Sequence, residues 1–134
     1  MRLVVGYDGS QAGRRALERA ATLATDGDDV VVVAAAEAHA RTEISETGAH
    51  LDPSEIQRRR DDLDDAQAFL KQHGIAAQTV EAQGDPGAVI VEAAENADLV
   101  VVGSRGLNPL QRMLLGSVSA KVVNRAHCDV LVVR

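Results

Sequence analysis

The sequence predicts a single α/β domain, an open five-stranded parallel sheet with helices on both faces. Three observations predict it. Short valine-rich runs bounded by Asp or Gly recur along the chain, they alternate with stretches of helical periodicity, and 134 residues make about one domain's worth of core. Residues 1–134 are therefore read as one unit with no internal boundary.

The strands carry the clearest signal. "RLVVGYD" (2–8), "DVVVVAAAE" (29–37), "DLVVVGS" (98–104) and "DVLVVR" (129–134) are apolar without alternation, which marks strands buried on both faces. "IAAQTVEA" (75–82) is a fifth and weaker run with polar residues inside it. Helical spacing fills the intervals. Ala12, Ala16, Leu17, Ala20, Leu23 and Ala24 follow Ser10, a good N-cap, and Ile56, Leu63, Ala66 and Leu70 follow Asp52, Pro53 and Glu55. Gly74 stops that second helix. Asp85 and Pro86 open a third with core positions Val89, Ile90, Ala93 and Ala94, and Val118, Val122, Val123 and Ala126 mark a fourth. Residues 38–52 fit neither period and read as a mobile loop.

Alternation of this kind calls for right-handed crossovers and, with the first strand central, for the order 3-2-1-4-5, a Rossmann-like arrangement. The connections then reverse direction between strands one and four. A crevice opens there, where the end of "RLVVGYD" meets the end of "DLVVVGS".

Composition narrows the function. One Tyr, one Phe and no Trp leave no stacking platform for bases, and a net charge of −6 argues against a nucleic-acid backbone as partner. The run Arg58, Arg59, Arg60 is followed at once by Asp61, Asp62, Asp64 and Asp65, and reads as a solvated helix face with local ion pairing. The single cysteine, Cys128, excludes an internal disulfide and suits a reduced compartment; it reads as a small buried thiol rather than a nucleophile paired with His127. The four histidines show no ligand spacing. With no bilayer-length apolar stretch and no leader, the expected location is the cytoplasm.

The informative segment is "VVGSRGLNPLQRMLLGSVSA" (101–120). Gly103, Gly106 and Gly116 would let backbone approach an anion, Ser117 and Ser119 add hydroxyls at the start of a helix, and Arg105 or Arg112 could neutralise charge. No Lys follows, so this is not a phosphate-loop NTPase motif, and "VGYDGS" lacks the dinucleotide glycine pattern. Glycines alone leave an anion site and plain turns equally open.

The chain resembles the universal stress protein family, whose nucleotide-binding members carry Gly, two residues, Gly, nine residues, then Gly-Ser or Gly-Thr. Gly103, Gly106, Gly116 and Ser117 match that spacing. "VVGYDGSQAGRRAL" resembles the family's opening, "ADLVVVGSRG" its fourth strand, and "LLGSVSAKVV" with "VLVVR" its ending. Many members have Pro where this chain has Asp129. The resemblance implies an ATP-binding module in which Gly103, Gly106, Gly116, Ser117 and Val118 hold phosphates and ribose. It places Asp8 on the ribose or on Mg²⁺, and backbone near Ala34 and Ala35 on adenine. For Asp8 a capping role shared with Ser10 is the competing reading.

The expected function is a nucleotide-binding stress-response regulator. Slow ATP hydrolysis, a dimerising module without nucleotide and a flavin carrier are the alternatives. A homodimer is expected through residues 130–133, whose uninterrupted apolar edge invites a second copy, as the family resemblance also implies.

Overall fold

The computed structural model describes residues 1–36, 52–104 and 115–134. Its elements run β1 (Arg2–Gly6), α1 (Gln11–Leu23), β2 (Asp29–Ala36), α2 (Pro53–Gln72), β3 (Ala77–Gln83), α3 (Pro86–Ala93), β4 (Leu99–Gly103), α4 (Ser117–Arg125) and β5 (Asp129–Val133). All four strand pairings are parallel and the order is β3-β2-β1-β4-β5, as the alternation predicts. The expected loop at 38–52 falls almost wholly outside the described residues; Asp52, at its end, caps α2 by accepting from Ser54 N at 2.8 Å.

Strand pleating sorts the valines into two cores. Leu3, Val5, Val30, Val32 and Val101 face α1 and α2, where Leu17, Ala20, Leu63 and Leu70 meet them. Val4, Val31, Val33, Val100 and Val102 face α3 and α4 and meet Val89, Ile90 and Val122. Both faces of β1, β2 and β4 are thus dry, which is why their sequences read as runs. Two expected core positions turn outward instead: Leu23, in the last turn of α1, and Val123, on the solvent side of α4, are exposed.

The edges differ. In β3, Gln78, Thr79, Val80 and Glu81 are exposed, and α2 braces the strand through Gln67 Nε2 on Ala77 O (2.8 Å) and Arg60 on Glu81 (2.8 Å). Val130 to Val133 of β5 are only half-buried. Beside them Cys128 is half-buried, and burial, with Asp129 next to it, raises its thiol pKa, so it is no activated nucleophile.

The weak fifth strand begins two residues later than its sequence suggests. Gly74 takes a left-handed φ of +76°, Gly74 N donates to Lys71 O and Ile75 N to Leu70 O. This paired closure of the α2 C-terminus claims Ile75 as its apolar residue, leaving the ladder to start at Ala77.

Candidate functional site

In a parallel sheet every crossover helix starts at the carboxyl ends of the strands, so first turns crowd around the switch point. Here they ring a cleft between β1 and β4. Gly6, Val33, Val102 and Gly103 are strand-borne parts of its lining. Ser10, Ala12 and Gly13 come from the start of α1, Glu55 and Arg59 from α2, Pro86 and Ile90 from α3, and Gly116, Val118 and Ser119 from α4. Tyr7, Asp8 and Ala35 complete it.

The structure therefore brings together Asp8, Ala35, Gly103, Gly116, Val118 and Ser119 of the expected set. Ala34 is not in the wall: strand alternation sends its side chain into the α1–α2 core. Ser117 is exposed and also outside the lining. Arg105, Gly106 and Arg112 lie outside the described residues.

Asp8 Oδ1 accepts from the backbone N–H of Ser10 (3.0 Å) and from the Ser10 hydroxyl, while Ser10 Oγ accepts from Gly13 N (3.1 Å). The capping reading of Asp8 is thus present in the fold as a relay, carboxylate to hydroxyl to helix N–H. Asp8 is nevertheless exposed at the cleft.

Gly103 answers to packing first. A Cβ there would fall 2.3 Å from Ala12 O and 2.4 Å from Ala12 C, so the residue is a glycine because the start of α1 lies directly on β4. Gly116 differs. It is the N-cap of α4 with φ −63° and ψ 163°, angles open to any residue, and among the described residues no side chain caps the helix. No described side chain takes the leading N–H groups of α4, and the helix dipole behind them suits an anion. Ser119 is buried and its hydroxyl donates to Gly116 O at 3.1 Å, which fixes that first turn.

Arg59 corrects the reading of the arginine run. Arg58 is exposed and Arg60 pairs with Glu81, but Arg59 turns inward to the cleft wall and donates through Nη1 to Asp8 O at 2.9 Å. Its Nη2 lies 3.2 Å from Asp62 Oδ2. Burial pushes the Asp62 carboxyl above its ordinary range; Arg59 opposes that shift and Asp8 adds to it. A search by helical period alone could place Glu55, Arg59 and Asp62 on one face. It could not tell which face met the cleft, because the sequence holds no distance across residues 38–52. Among the described residues no three His, Cys, Asp or Glu side chains are grouped as a metal site, and no helix is long and apolar enough to cross a membrane.

A doubly wound parallel sheet with a cleft at its switch point defines a class: Rossmann-like α/β domains with a crevice at the carboxyl ends of their strands. Residues 1–134 match the universal stress protein family, and the chain belongs to that family. It is 32% identical over 145 residues to universal stress protein YxiE of Bacillus subtilis, covering 99% of this chain and 98% of that one. The universal stress protein structure from Archaeoglobus fulgidus superposes with a TM-score of 0.82 at 25% identity, covering 100% and 98% of the two chains. A universal stress protein solved in complex with cAMP gives 0.76 at 28% identity, covering 100% and 97%. Nucleotide binding is thus a property of solved members of the family.

Proposed function

We propose that this chain binds ATP in the cleft and acts as a regulator whose occupancy alters its partners. The observation that carries the reading is the α4 N-terminus, capped by no described side chain, facing a cleft at the switch point. The spacing of Gly103, Gly106, Gly116 and Ser117, and a relative that holds an adenine nucleotide, support the same ligand class. In this reading the α4 amides from Ser117 onward take the phosphates, Asp8 faces the ribose or a phosphate-bound Mg²⁺, and backbone beside Ala35 lies along adenine. One carboxylate suits a magnesium ion held mainly by phosphates and water. Mass spectrometry of ligand released from the purified protein, followed by calorimetry with ATP, tests it; no ATP affinity in the purified domain rejects it.

Binding fits better than efficient turnover. Phosphoryl transfer needs dense positive charge at the γ-phosphate. Among the described residues lining the cleft, Arg59 is the cation, and it already faces Asp62.

Asp8→Ala is expected to weaken ATP binding, and more in Mg²⁺ than in EDTA if the carboxylate serves the metal. Equal loss in both buffers assigns Asp8 to the ribose, and no loss removes it from the site. Losing the relay through Ser10 should also lower stability by about 1 kcal/mol, read from thermal unfolding.

The same reading includes a homodimer through β5. Val133 turns its carbonyl inward to Ser104 N (2.8 Å), so alternation points the N–H of Val132 outward, along the free edge. Val132→Pro should therefore remove an edge donor while sparing the β4 ladder, and convert dimer to monomer. Light scattering decides: a monomeric parent at micromolar concentration, or a variant that stays dimeric, sinks the proposal.

A further inference from the structure

The β1–α1 turn that carries Asp8 is short and held from one side only by its own residues. Asp8 Oδ1 and Ser10 satisfy each other and Gly13 within the turn, but the Asp8 carbonyl is reached from a different element, by Arg59 of α2. Gly9 adds a second contact to the same helix. It sits at φ +77°, and a Cβ there would fall 2.6 Å from Asp62 Oδ1, so the turn lies directly against the Asp62 carboxylate. Arg59 and Asp62 are one turn apart on α2 and within 3.2 Å of each other. The two side chains thus grip the turn together, one by a hydrogen bond to its first residue and one by contact with its second.

We propose that Arg59 and Asp62 form a brace that sets the position of the Asp8 turn, making Arg59 a positioning residue for the ligand rather than a contact to its phosphates. The two terminal nitrogens of the guanidinium are engaged: Nη1 serves the Asp8 carbonyl and Nη2 faces Asp62, while the buried Nε has no hydrogen-bond partner among the described residues. An arginine used in that way brings little free charge to a ligand, yet it fixes where the Asp8 carboxylate stands. The consequence for ligand choice is specific. Its loss should be felt by whatever lies beside Asp8; with Mg²⁺ removed that is the ribose in the reading above, and the loss should then be independent of the number of phosphates. The ligand part of this inference rests on the nucleotide reading of the cleft; the brace itself does not.

Two variants test it, Arg59→Met, and Arg59→Lys, which keeps a charge and one donor. In ligand-free protein, Arg59→Met should speed hydrogen exchange at the Ser10 and Gly13 amides by about tenfold, the scale of one lost hydrogen bond to a charged group, with β1 and β4 amides unchanged. Arg59→Lys should restore part of that protection. Unchanged exchange at Ser10 and Gly13, or an equal rise across the sheet, overturns the brace. Calorimetry in EDTA, with no phosphate-bound Mg²⁺ beside Asp8, then compares adenosine with ATP. The expected result is the same fold-loss for both in Arg59→Met; a loss for ATP alone overturns the positioning role and assigns Arg59 to the phosphates. If the parent protein binds neither compound, the nucleotide reading fails and the positioning of a nucleoside with it, while the exchange measurement still decides whether α2 holds the turn.

Discussion

Gly103→Ala will destabilise the domain by about 3 kcal/mol or more, the upper end of what overpacking costs in a core. The added carbon would meet the carbonyl of Ala12, a backbone group that cannot rotate away, so α1 has to shift off β4 as a unit. For a domain of this size that corresponds to a fall of roughly 10 °C in the unfolding midpoint. Gly27→Ala is the informative control. Gly27 lies at φ +92° with nothing within 4 Å of the place its Cβ would take, so its replacement carries only backbone strain, about 1 kcal/mol. Differential scanning calorimetry of the two variants separates them. Equal midpoints would mean that Gly103 is no closer to α1 than a surface turn is.

Gly116→Val has the opposite profile. Its backbone angles suit any residue, and a branched side chain at an N-cap costs less than about 1 kcal/mol relative to glycine. Yet the side chain would stand where an anion must come to meet the first N–H groups of α4. Loss of two charge-assisted hydrogen bonds, each worth at least about 1.5 kcal/mol, corresponds to a fall in ATP affinity of about a hundredfold or more. Calorimetry on the folded variant checks it, with the unfolding midpoint as the control. Unchanged affinity would leave Gly116 as a turn residue and remove the α4 N-terminus from the site.

The sheet was legible because burial on both faces leaves mostly valine, with leucine in β1 and β4 and alanine in β2, and that composition needs no partner to be recognised. Strand order followed from the alternation of elements. What escaped is tertiary in origin. Leu23 and Val123 lie at helical spacing yet face solvent, because a helix's apolar stripe is wider in sequence than the surface its sheet can cover. At the candidate site, Gly103 and Gly116 of the glycine spacing do line one cleft, but the spacing alone does not separate their surroundings: Gly103 meets α1, Gly116 opens α4. Arg59 was hidden among two neighbouring arginines whose side chains go elsewhere.

The contact between Gly103 and Ala12 also bears on how such sequences should be compared. If the proposed ligand binds, a descendant without it would be released from any constraint at Gly116 but not from the one at Gly103, where a side chain still could not fit. Retention of the first glycine is thus a record of helix docking, whereas the last one, at the helix start, is free to follow the proposed ligand.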